Sequence, residues 1–155
     1  MSLEDFKRYC EINKDSIRLE YRDETTHDLT VNKILSNPSL IGLRGIEEKY
    51  KNVHFSAGTN NVGTINLVFF TESEIFPYIC DIRTGRKDRG CPESHLKEAY
   101  ELIRDRFGLL PTRMLIWVPE SSPLTKKIIP ATADDVLKLI AKEKASRGLS
   151  VEVET

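Results

Sequence analysis

A chain of 155 residues fits one domain, residues 1–155 with 1–14 as a helical extension, and can bury a substantial core. With 39% hydrophobic and 30% charged residues it has a globular composition, and a net charge of −1 excludes a polyanion binder that is basic over its whole surface. No run approaches the ~20 apolar residues of a membrane span and no apolar signal segment opens the chain, so the expectation is a cytoplasmic protein without a membrane partner.

Leu3, Phe6 and Cys10 share one face of a short N-terminal helix, read as an added cap. Residues 16–23 alternate, with Ile17, Leu19 and Tyr21 opposite Arg18, Glu20 and Arg22, as in a half-buried first strand. Thr25, Thr26 and Asp28 offer caps for a helix through Leu29, Ile34 and Leu35 that stops near Asn37-Pro38. Gly42 and Gly45 interrupt the next segment, which predicts a loop and then one or two helical turns over 45–51. Residues 53–58 and 62–70 read as strands joined by a hairpin turn at Thr59-Asn60-Asn61.

A third strand at 75–83 leads through a charged loop at 84–92 into a helix over 93–107, and then a strand over 113–118. The helix follows from Leu96, Tyr100, Ile103 and Phe107 at spacings of three and four, with Gly108 as its stop. The length of the connection predicts a right-handed crossover that sets the two strands parallel. Ser122 and Pro123 then form a turn, Thr132 caps a helix over 133–147, and 149–153 alternate as a last strand. The predicted class is α+β in three layers. A mixed, mostly antiparallel twisted sheet carries one parallel crossover over 75–118 and helices on both faces.

The loop is where chemistry is expected. It opens at the carboxyl edge of a strand, where open sheets bind ligands, and it feeds a helix N-terminus that attracts anions. Arg83, Arg86, Lys87 and Arg89 crowd it, with Asp81 and Asp88 partly offsetting them. Cys91 and His95 stand four apart at the helix start, a spacing that activates a thiolate more readily than it makes a metal site without further ligands. Cys10, Cys80 and Cys91 include no paired C-x-x-C, which indicates neither a disulfide framework nor a zinc ribbon. His27 stands alone, and His54 alternates with Val53 and Phe55 in a strand as a structural residue.

Lys87-Asp88-Arg89-Gly90-Cys91-Pro92, set between a strand and a helix, resembles the Arg/Gln-x-x-Gly-x-Gly/Ala loop of the GNAT acyltransferase superfamily. Gly90 matches the first glycine, while Pro92 replaces the final small residue and removes an amide donor. The resemblance is nearest to divergent members carried by bacteriophages and mobile elements, on Val31-Asn32-Lys33-Ile34-Leu35-Ser36-Asn37-Pro38 and on Val118-Pro119. It implies acetyl-CoA or a related acyl-CoA as donor, held by Ile82, Arg83, Arg86, Lys87, Asp88, Arg89, Gly90 and Cys91, and an amine acceptor. It further implies a proton acceptor at Asp81, or Glu72 or Glu74, and Ser121 or Ser122 in place of the family's tyrosine, since no tyrosine follows Tyr100. Tyr78 is a groove candidate. The last sheet edge would be open or covered by a second subunit, as in a homodimer.

Two other readings stand beside acyl transfer: a GNAT-like fold that has lost the cofactor and serves as a binding or structural protein, and a nucleic-acid-associated protein that sets Arg83, Arg86, Lys87 and Arg89 on phosphates. All three need a sheet that opens beside the basic bend.

Overall fold

The computed structural model describes residues 3–14, 26–57, 60–72, 76–84, 92–119 and 123–146. Over these the chain forms α1 (Leu3–Asn13), α2 (Thr26–Ser36), β1 (Glu48–Ala57), β2 (Asn60–Phe70), β3 (Tyr78–Thr84), α3 (Pro92–Phe107), β4 (Thr112–Val118), β5 (Thr125–Ile129) and α4 (Ala133–Ser146). The strands make one mixed sheet in the order β1-β2-β3-β4-β5, antiparallel throughout except for the parallel β3/β4 pair. The α+β class, the three-strand meander and the parallel crossover are therefore as the periodicity predicts. The expected strands at 16–23 and 149–153 lie outside the described residues.

Strand alternation sends side chains to two cores. Val53, Phe55, Val68, Phe70 and Ile79 face α1 and α3, where they meet Phe6, Tyr9, Leu96, Tyr100, Ile103 and Phe107. Leu67, Phe69, Cys80, Ile82, Met114 and Ile116 face α2, where Val31 and Ile34 close the second core. Helices thus cover both faces, as expected. The α3 stripe stops where predicted: Gly108 takes φ 69°, and its N–H donates to Arg104 O at 3.1 Å.

Three expectations are corrected. Helix α1 is part of the core and not a cap: Phe6 is fully buried, with ring centroids 5.1 Å from Phe107, 5.5 Å from Phe70 and 6.3 Å from Phe55. The predicted helical turns over 45–51 are instead a loop and the start of β1. Glu47 N–H donates to Phe70 O at 2.8 Å, and Tyr50↔Val68 and Lys51↔Leu67 continue the ladder. A strand partner supplies what the glycine-interrupted segment lacks for a helix, while one 3₁₀ turn forms earlier, at Pro38–Ile41. Finally, β5 is absent from the predicted elements; its Thr125, Ile128 and Ile129 are β-branched and pair with β4 between Pro123 and Pro130.

Helix α4 is capped as predicted, with Asp135 N–H donating to Thr132 Oγ1 at 3.1 Å. It docks on α3 through half-buried Val136 and Leu139 and through a polar clasp. Tyr100 OH donates to Asp135 Oδ2 at 2.8 Å, and Arg104 Nη1 lies 3.4 Å from the same oxygen. The Tyr100 hydrogen bond, helped by Thr132 and Arg104, holds the Asp135 carboxyl below the ordinary carboxylate range against the opposing effect of burial. A depressed folded-state pKa contributes stability above the unfolded pKa, and this is lost as pH falls through about 4 and below. Tyr100→Phe should therefore be less stable than wild type at pH 7, and the gap should close on acidification. Urea titrations at a series of pH values measure it; a gap that is constant with pH would contradict the clasp.

Candidate functional site

Strands β3 and β4 stay in register along their whole length, from Tyr78↔Thr112 to Thr84↔Val118. No wedge opens between them among the described residues. The sheet loosens on the other side of β3. The β2/β3 ladder runs through Phe69↔Tyr78, Val68↔Ile79 and Leu67↔Cys80. Beyond it the Ile82 N–H, which points towards β2, donates to the side-chain oxygen of Asn66 at 2.7 Å where a strand carbonyl would ordinarily serve. Asn52 on β1, across from this point, has φ 52°, a left-handed conformation that asparagine tolerates better than most residues. The two asparagines mark the place where β2 turns away from the carboxyl half of β3.

The residues beside that opening face α3. Ile79 points into the α1/α3 core while Cys80 and Ile82 point to α2, so alternation places Asp81 and Arg83 on the α3 side. Asp81 is buried and Arg83 one-third exposed. Arg83 Nη2 and Nε both donate to Asp81 Oδ2, at 3.0 and 3.1 Å. One carboxylate oxygen thus takes two of the five guanidinium donors and fixes the direction of the rest. The first turn of α3 closes over β2 at His95. A Cβ at Gly63 would collide with the His95 ring, so glycine permits this approach. His95 Nε2 is buried without a hydrogen-bond partner among the described residues.

On β4, Met114 and Ile116 belong to the α2-side core and Leu115 packs towards α3, so Trp117 faces α3 as well. Trp117 is the register partner of Arg83, and half-buried. Lys127, register partner of Leu115, reaches Glu93 in the first turn of α3 at 2.7 Å. Asp81, Arg83, Trp117 and His95 therefore line the α3 side of the sheet at the carboxyl edge of β3.

The expected site residues divide. Arg83 and Asp81 are brought together, but the Asp81 carboxylate holds Arg83 and does not stand open as a proton acceptor. The expected cofactor donor at Ile82 is corrected: its N–H is taken by Asn66 and its side chain is fully buried towards α2. Tyr78 packs into the α2-side core at the opposite end of β3, away from the groove. Exposed Glu72 follows the end of β2 that lies beside Tyr78, so it is also distant from the carboxyl edge. Burial pushes the Cys80 thiol up, with Asp81 adding to the effect, which leaves it un-ionised. His54 is exposed, with Nδ1 2.6 Å from Thr64 Oγ1. Arg86, Lys87, Asp88, Arg89, Gly90, Cys91, Glu74, Ser121 and Ser122 lie outside the described residues. Sequence reasoning misses Asn66 and Trp117. Asn66 carries a legible signal, a lone amide inside the apolar run 65–70.

No family model matches the sequence, and no curated protein does. The solved structure described as "Crystal structure of SSO0001" is similar with a TM-score of 0.39 and 15% identity, over 95% of this chain and 68% of that one. No helix among the described residues is long and apolar enough to cross a membrane.

Proposed function

We propose that this chain binds a phosphodiester ligand of the nucleic-acid type at the carboxyl edge of β3. The observation that carries the reading is the Arg83–Asp81 pair. A buried carboxylate aims a partly exposed guanidinium at the edge of a central strand, beside the point where β2, still paired with β1, parts from β3. Guanidinium groups held in a fixed orientation suit phosphate oxygens because two parallel N–H bonds match their geometry. Arg86, Lys87 and Arg89 follow within six residues of Arg83, so the chain concentrates its cations here despite a net charge of −1.

Acyl transfer from an acyl-coenzyme A is the second reading, favoured by the parallel strand–helix–strand unit that frames the loop. It requires room for the cofactor arm. Among the described residues the unbroken β3/β4 register opens no space between these two strands, and Asp81 is already engaged.

A thermal-shift comparison separates the two. A ligand that binds only the folded state at a hundredfold excess over its Kd stabilises by about 2.7 kcal/mol, or roughly 5–10 °C for a chain of this size. A single-stranded oligonucleotide should produce such a shift and acetyl-coenzyme A should not. The opposite result would transfer the assignment to the acyl reading.

A further inference from the structure

We propose that Trp117 and Arg83 form a receptor for an unpaired nucleobase and its phosphate, the ring as a stacking surface and the guanidinium as the phosphate contact. The inference rests on the phosphate-binding reading above and adds to it the part of the ligand that is recognised. Three observations carry it. Trp117 and Arg83 are register partners on adjacent parallel strands, so their backbones lie about 4.8 Å apart. Both face the α3 side, at the last turn of the pleat before the strands end at Thr84 and Val118. Both are half-buried and keep part of their surface in solvent, on strands whose Ile82, Met114 and Ile116 are fully buried.

The chemistry fits this pairing. Bases stack on aromatic faces whatever their identity, while a neighbouring guanidinium takes the phosphate that each base carries, a few ångströms from the ring. A base must be unstacked from its own neighbours to lie against the indole, which selects single strands over duplex. The same chemistry, a base joined to phosphate, is present in single-stranded nucleic acid and in coenzyme A, so the two sources have to be compared directly. Thr125, the other register partner of Trp117, is exposed on β5 and leaves that flank lined by a small polar side chain.

Trp117 is the chain's one tryptophan, so its emission reports the site directly. The full chain is titrated with a thymidine 12-mer, the same length of duplex, coenzyme A and inorganic phosphate, with quenching read beside the anisotropy of labelled oligonucleotide. Expected is saturable quenching by the single strand, with a Kd that matches the anisotropy, and weak quenching by duplex and phosphate. Trp117→Leu should weaken single-strand binding about 5- to 150-fold, the equivalent of one stacked base, while Trp117→Phe keeps most of it. The wild-type quench stands as a test even where a variant fails to fold. Binding that is equal for single strand and duplex, without quenching, would overturn the base receptor and leave the phosphate reading intact. Quenching by coenzyme A alone would uphold the receptor and overturn the nucleic-acid source. No binding of any of the four would overturn both.

Discussion

Phe6→Ala should destabilise the fold by about 3–5 kcal/mol, the range for emptying a buried phenylalanine site. Phe6 has no exposed surface and stands between the sheet and α3, in ring contact with Phe55, Phe70 and Phe107. Its neighbours cannot collapse into the space freely because Tyr9 is also fixed, its hydroxyl donating to His54 O at 3.2 Å and accepting from Ser56 N–H at 3.1 Å. Arg106 covers the outside of the same cluster, 5.0 Å from the Tyr9 ring. A removable N-terminal cap would lose under about 1 kcal/mol, the usual scale for a surface change. Urea unfolding of wild type and mutant distinguishes these outcomes, and a small loss would return α1 to the status of an appendage.

Arg83→Ala should weaken phosphate-ligand binding by about 1–3 kcal/mol, the scale of one charge-assisted hydrogen bond. Arg83→Lys should recover only part of it. An ammonium can satisfy Asp81 or a phosphate, but it lacks the planar fork that engages Asp81 Oδ2 with two donors and leaves others for a ligand. The contrast matters because a merely solvated cation would be replaced by lysine at no cost. Isothermal titration with a single-stranded oligonucleotide measures all three proteins; equal affinity for wild type and Arg83→Ala would remove Arg83 from the site.

Much of the frame is legible in the sequence because it depends on local periodicity. Leu96, Tyr100, Ile103 and Phe107 repeat at the helical period, and α3 forms over Pro92–Phe107, one residue longer than predicted. The hairpin strands and the parallel crossover follow from alternation and connection length. Where the period fails, so does the reading. In β5 two lysines and then two isoleucines stand adjacent, giving no alternation, and the strand exists because β4 offers it an edge. Segment 48–51 carries polar groups on both sides and becomes a strand only through its register with Phe70 to Leu67.

The candidate site is half legible for the same reason. Arg83 and Asp81 are two residues apart on one strand, so alternation alone puts them on one face. Trp117 reaches Arg83 only through the parallel register, and His95 reaches Gly63 only through helix packing. Neither relation has a local sequence signature. The sheet is expected to open beside the basic bend; the pairing puts the loosening between β2 and β3, where the Asn66 side chain stands in for a ladder carbonyl.

The salt dependence of single-strand binding, measured on wild type and Arg83→Ala, tests the phosphate assignment most directly. One phosphate for each of the four cations that the sequence sets at 83–89, Arg83, Arg86, Lys87 and Arg89, would make log K fall against log salt with a slope of about −3, and Arg83→Ala should reduce its magnitude by about 0.7. A wild-type slope near zero, or one that Arg83→Ala leaves unchanged, would contradict a phosphate held at the carboxyl edge of β3.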